Sequence, residues 1–277
     1  MDDAHKLAES TSVLLNVSEF SSIEDATSAL TSTMQAFGYT ADQRMHVVDI
    51  LNEVGNNYAV SSDGIATALS DSASALMSAN NSYEEAVAMV AAANKVVQDP
   101  SKVGGGLRTI SLRLRGTEVE GEDNDGLIKS QSKLRGTIKS LSGVDILTDT
   151  GAYKSTYQIL LEISKVWQDM NDMDQAALLE VIAGKNRSNI AAAILTNTKD
   201  LEAAYASAMK ADGSALAENE KYLDSIEGKI KQFTNAYQVL WNNLIDDSAI
   251  KGIVGFGTDI LTFIQTENRG IGIFRFF

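Results

Sequence analysis

Two histidines, a run of three glycines, a basic cluster and an acidic loop are the residues whose types could carry chemistry. His5 and His46 lie far apart, and neither has a carboxylate or a second histidine at ligand spacing. Metal binding and acid–base work need such a partner, so both read as surface histidines. Gly104-Gly105-Gly106 ahead of Arg108 has the composition of a phosphate cradle. The run lacks the lysine and Ser/Thr of a P-loop, and it follows Pro100 inside a helical pattern instead of a strand. Close helix–helix approach through glycine is the simpler reading.

Arg108, Arg113, Arg115, Lys129, Lys133, Arg135 and Lys139 flank an acidic stretch holding Glu118, Glu120, Glu122, Asp123 and Asp125. Nucleic-acid contact would want aromatics between the cations, and none interleave. The net charge of −14 also opposes phosphate binding. Pairing of the cations with the acidic loop is the expectation. As a calcium loop, Glu120–Gly126 fails: with Glu120 as first ligand, Asp125 takes the glycine position and Gln131 that of the closing glutamate. No G-x-S-x-G is present, and carboxylate pairs are too common in an acidic chain to name a hydrolytic dyad. No catalytic residue, cofactor or metal ligand is assigned.

The elements that would position any site are helices. Among 277 residues there is one proline, Pro100, aromatics make up 6% and cysteine is absent. That composition favours helices packed through small residues and excludes disulfides, thiolate metal sites and thiol nucleophiles. The N-terminal Met1-Asp2-Asp3-Ala4-His5 lacks the basic-then-apolar order of a signal peptide. The longest apolar-rich run, Ile250–Ile264, contains Lys251 and Asp259 and falls short of the roughly 20 apolar residues of a spanning helix. As written, the chain reads as soluble.

Along residues 1–116 the expectation is a helical array. Ser21–Glu24 and Thr40–Gln43 read as capping boxes, Gly38 as a left-handed C-terminal cap, Asp63 as an N-cap, and Ser82–Glu85 as a further start. Asp99-Pro100 opens a helix through Leu114. Residues 117–126 form an acidic loop, and 127–211 a second helical region. There, 136–148 could be a small β-hairpin or a helix ending near Ser140. Helices are also expected over Tyr153–Met170, over Gln175–Ile182 up to Gly184, and from Ile190 towards Met209. Residues 248–277 are a glycine-rich apolar tail whose aromatic ending points to a chain that continues in its parent.

The clearest periodic signal is a long heptad helix over 212–247. Leu216, Leu223, Ile226, Ile230, Phe233, Tyr237, Leu240 and Leu244 follow steps of 7, 3, 4, 3, 4, 3 and 4, the a/d rhythm of a helix seam. Only Gly228 interrupts the pattern, so a rod of about 50 Å is expected. Its apolar stripe must lie against another helix, in this chain or in a second copy. The fold class expected is therefore all-α: an array of short-to-medium helices, then a long heptad-patterned helix.

Several stretches together resemble the conserved region of phage tail tape measure proteins, the TP901-type group of phages and prophages of Gram-positive bacteria. They are Asp42–Asn56 leading to Ser62–Leu69, Val103–Gly116, Tyr153–Leu160, Leu178–Arg187, Asn219–Ile226 and Trp241–Leu244. The resemblance covers about Ala26 to Thr262, in order. It implies a structural virion component that sets tail length in the tube lumen and leaves ahead of the genome at ejection. It also implies partners in itself and in tail tube or tail assembly chaperone proteins, and residence in host cytoplasm during assembly. Membrane contact belongs at most to a longer parent. No catalytic residues transfer. Family members are usually far longer, so this chain reads as a fragment. The rival readings are a membrane-active helical module and a segment associated with a cell-wall hydrolase.

Overall fold

The computed structural model describes residues 2–121, 124–225 and 229–231. Helix follows helix: α1 (Asp2–Asn16), α2 (Ile23–Phe37), a 3-10 turn (Ala41–Gln43), α3 (Arg44–Asn57), α4 (Ser62–Ser78), α5 (Tyr83–Val97) and α6 (Pro100–Arg113). After the acidic loop come α7 (Gln131–Ser142), α8 (Thr156–Val166), a second 3-10 turn (Trp167–Asp169), α9 (Asp172–Leu195), α10 (Thr198–Ala208) and α11 (Ser214–Asp224). Among the described residues there is no strand, only an isolated antiparallel bridge between Leu147 and Tyr153. The fold is all-α. Residues Met1–Leu216 form one compact unit, and the described residues from Ala217 onward belong to a second.

Local chemistry fixes most helix boundaries. Ser82 accepts the Glu85 N–H while the Glu85 carboxylate takes the Ser82 N–H, so α5 starts on a reciprocal box. Ser155 and Gln158 do the same for α8. Asp99 caps α6 ahead of Pro100, and Gly38 ends α2 in the left-handed region at φ 70°. Two starts differ from expectation by a residue or two. Ser22 caps α2, with the Ser21 and Ser22 hydroxyls both donating to Asp25. Ser61, not Asp63, caps α4, and its hydroxyl donates to the Asp63 carboxylate.

The core centres on α5, where every residue from Tyr83 to Asn94 is buried. A helix built of Ala86, Ala88, Ala91, Ala92 and Ala93 between valines can be covered on all sides at close range. α3, α4, α6, α8, α9 and α10 all pack on it. The triple glycine serves this packing. A Cβ on Gly104 would lie 2.3 Å from the Ala68 carbonyl oxygen of α4, and one on Gly106 2.6 Å from the Ile190 side chain of α9. Gly105 lies under the Arg187 guanidinium. The glycines are helix contacts, and no phosphate cradle forms.

Three further differences matter. Residues 136–148 hold no hairpin of their own: α7 runs to Ser142, as the helical alternative had it, capped by Gly143 at φ 75°, and the single bridge joins Leu147 to Tyr153, which lies beyond that stretch. α9 is one element with a break at Gly184 (φ 68°, ψ 175°), and α10 starts anew at Thr198. α1, unmarked by any cap in the sequence, precedes the array. α11 is described over Ser214–Asp224, with the Ser225 N–H and hydroxyl donating to the Tyr222 carbonyl, and most of the expected heptad helix towards residue 247 lies outside the described residues. Residues 229–231 are again helical.

Candidate assembly site

Leu216 and Ile230 are each 49% exposed, and Leu223 is half-buried. Ile226, Phe233, Tyr237, Leu240 and Leu244 lie outside the described residues, as does the run Ile250–Ile264. At the start of α11 the core takes the small neighbour instead, since Ala215 is fully buried.

What positions that start is a polar stripe on α3. His46, Asp49 and Asn52 recur every three residues, which puts them along one face. Each meets the segment that opens α11. The buried Asp49 carboxylate accepts the Gly213 N–H and the Ala215 N–H, both at 2.9 Å. These are donors that no residue of α11 itself could satisfy, and an anion there also suits the helix dipole. The Ser214 hydroxyl donates to the Asp49 carbonyl at 2.9 Å and accepts from the Asn52 amide at 3.2 Å. His46 Nδ1 lies 3.3 Å from Asp212 Oδ1, and its Nε2 lies 2.8 Å from Glu84 Oε1 on α5. So His46 is not a lone surface histidine but is held between two carboxylates. His5 is exposed and distant from this cluster in sequence.

The basic cluster also resolves differently from the expectation. Arg113 is fully buried, and its Nε and Nη2 donate to the Val181 and Glu180 carbonyls at 3.2 and 2.9 Å. Those carbonyls end the first segment of α9, where the break at Gly184 interrupts the ladder. Arg113 is thus a cap in trans. Arg115 donates to the Ala79 and Lys154 carbonyls and lies 4.5 Å from the Tyr153 ring centroid. Arg135 and Lys139 pair with Asp145, whose carboxyl the Arg135 guanidinium holds well below the usual range. Towards the acidic loop, the expected Lys129 pairs with Glu118 at 2.5 Å and Arg113 also donates to the Asp125 carbonyl at 3.2 Å, while Lys185, outside the expected set, lies 3.6 Å from Asp125.

Among the described residues no group of three or more His, Cys, Asp or Glu is placed to hold a metal ion. Nor is any described helix long and apolar enough to cross a membrane. A groove of about 410 Å³ between the ends of α2 and α4 gathers Glu19, Asp25 and Asp63 with serines, of which Ser21 donates its hydroxyl to Asp25.

A protein of Escherichia phage P2 described as a probable tape measure protein is 26% identical over 250 residues, which span 88% of this chain and 29% of that protein. The chain therefore spans under a third of the length of the curated relative it matches. No solved structure matches it. The family model described as phage-related minor tail protein matches residues 1–184, two thirds of the sequence, and the chain belongs to that family.

Proposed function

We propose that this chain is part of a tape measure protein, a structural component that sets tail length during assembly and assists genome ejection. It acts by packing and self-association and carries no catalytic chemistry of its own. Support comes above all from the similarity to the phage P2 tape measure protein along 88% of the chain. The narrower link to phages of Gram-positive bacteria rests on the sequence resemblance alone.

In this reading the helical regions 1–116 and 127–211, joined by the loop 117–126, are a folded head. The heptad segment 212–247 carries the seam Leu216, Leu223, Ile226, Ile230, Phe233, Tyr237, Leu240 and Leu244, through which copies associate. Residues 248–277 are the glycine-rich apolar tail that follows it. Partners are further copies of the chain and the tail tube or assembly chaperone proteins. The location is the lumen of the virion tail tube, after assembly in host cytoplasm. Half-exposed Leu216 and Ile230 favour a seam that awaits a partner helix.

The deciding experiment is electron microscopy of tails carrying an in-frame deletion within Gly213–Asp247 of the parental gene. The expected outcome is a tail shortened by about 1.5 Å per residue removed. Tails of unchanged length would move the measuring role elsewhere in the parent and leave this chain an ejection or head module.

A further inference from the structure

The segment leading into α11 is held by two polar contacts in series. Asp49 takes the N–H groups of Gly213 and Ala215, and one residue earlier Asp212 meets His46. His46 stands between Asp212 and Glu84, so one ring must serve two carboxylates. An imidazolium donates from both nitrogens. A neutral ring has one N–H and one lone pair, so one carboxylate then faces a lone pair. The two acceptors are unequal: the Glu84 side chain is 12% exposed and that of Asp212 88%. Asp212 can turn to water at little cost, and Glu84 cannot.

We propose that His46 is a proton-operated latch on the start of α11. Charged, it clamps Asp212 against α3 and α5. Neutral, it keeps Glu84, releases Asp212 and leaves Asp49 alone to hold Gly213 and Ala215.

The surrounding groups leave His46 as the switch near neutrality. The Tyr39 ring stands edge-on at 5.7 Å, and burial, with the charge of Glu84, pushes its hydroxyl up to about 12. Burial raises Tyr83, next to Tyr39, well above its ordinary value, and raises Tyr205 of α10 too. Arg44, on the same helix, is engaged with the Lys6 and Ala41 carbonyls. Partial burial works against the imidazolium. Hydrogen bonds to Glu84 and Asp212, with their charges, outweigh it, so His46 titrates above the ordinary 6.5. Burial would raise Glu84, but bonds from its own backbone, Ser82 and His46 outweigh it and keep that carboxyl low. Since the folded value for His46 is raised, the latch is fully present below the unfolded value and is lost as pH rises through the folded one. Glu85 also titrates above the usual carboxylate range, through burial, so a His46 variant is needed to separate the two.

The test is amide hydrogen exchange at Gly213 and Ala215 in the full chain, from about pH 5.5 to 8.5, corrected for intrinsic rates. Protection should fall with rising pH, by about tenfold for each unit by which the ring is raised. His46→Gln should flatten the profile. It also identifies the His46 ring resonance, since the chain has only two histidines. Asp212→Asn alters an exposed side chain and should leave the fold intact while moving the ring titration down towards its ordinary value. A flat wild-type profile, an unchanged profile in His46→Gln, or an unmoved titration in Asp212→Asn would each overturn the latch.

Discussion

The junction of α4, α6 and α9 and the start of α11 solve the same problem, docking a helix, by opposite means. At the junction the side chains are removed: glycines bring α6 against the Ala68 backbone and against Ile190, and the polar ties of Arg113 to α9 lie at the far end of α6. At the start of α11 the docking is polar, through the stripe His46, Asp49 and Asn52, while Leu216 beside it remains 49% exposed. Close packing tolerates no rearrangement, since a void or a clash is felt at once. Hydrogen bonds to a helix end can open one by one and be replaced by water. The junction is therefore suited to a permanent head, and the α11 start to a helix that must stay available.

The largest effect should come from Arg113, which ties the junction to the break in α9. Arg113→Ala leaves the Glu180 and Val181 carbonyls without these donors and opens space where a fully buried side chain stood. A loss of about 3–5 kcal/mol is expected in chemical denaturation. Gly104→Ala comes next. Its Cβ would sit 2.3 Å from a backbone oxygen that cannot swing aside, so about 1–3 kcal/mol should be lost. At roughly 2–4 °C per kcal/mol, thermal unfolding reads this directly. Gly136→Ala sharpens the contrast, because a Cβ there meets nothing within 4 Å on the exposed side of α7. It should stabilise by up to about 1 kcal/mol.

Asp49→Ala attacks the other mode of docking. Removing the acceptor of two N–H groups should cost about 1–2 kcal/mol, felt mainly at the start of α11. Amide exchange at Gly213 and Ala215 should accelerate far more than the global unfolding free energy falls. Equal changes in both would mean that the α11 start is as integral to the core as the glycine junction, and the contrast would collapse.

Most of the head was legible because its signals are local. Ser82–Glu85, Asp99-Pro100 and Gly38 act within a few residues, so reading them needs no tertiary knowledge. The glycine run, too, could be weighed against a phosphate loop by its place after Pro100. The functional anchors were not legible as such, because their partners are remote. Asp49 acts 164 and 166 residues away, and Arg113 acts 67 and 68 residues away. The signal was present but weak: His46, Asp49 and Asn52 interrupt the apolar pattern of α3 at a spacing of three, a polar stripe that needs a polar partner.

The smallest effect on stability should accompany the largest effect on assembly. Changing Leu216, Leu223 and Ile230 together to Glu places charge at positions that are half-buried or more exposed, none of them in the fully buried core. Each exposed substitution should alter stability by no more than about 0.5 kcal/mol. If the stripe binds a second copy, however, like charges brought face to face cost far more than the apolar contact they replace. Sedimentation of the wild type should show a concentration-dependent oligomer, and the triple variant should sediment as a monomer with an unchanged helical signal. A wild type that stays monomeric at high micromolar concentration would remove self-association from the seam. The exposed leucines would then serve a different tail protein, and the polar anchors on α3 would be presenting α11 to that partner instead.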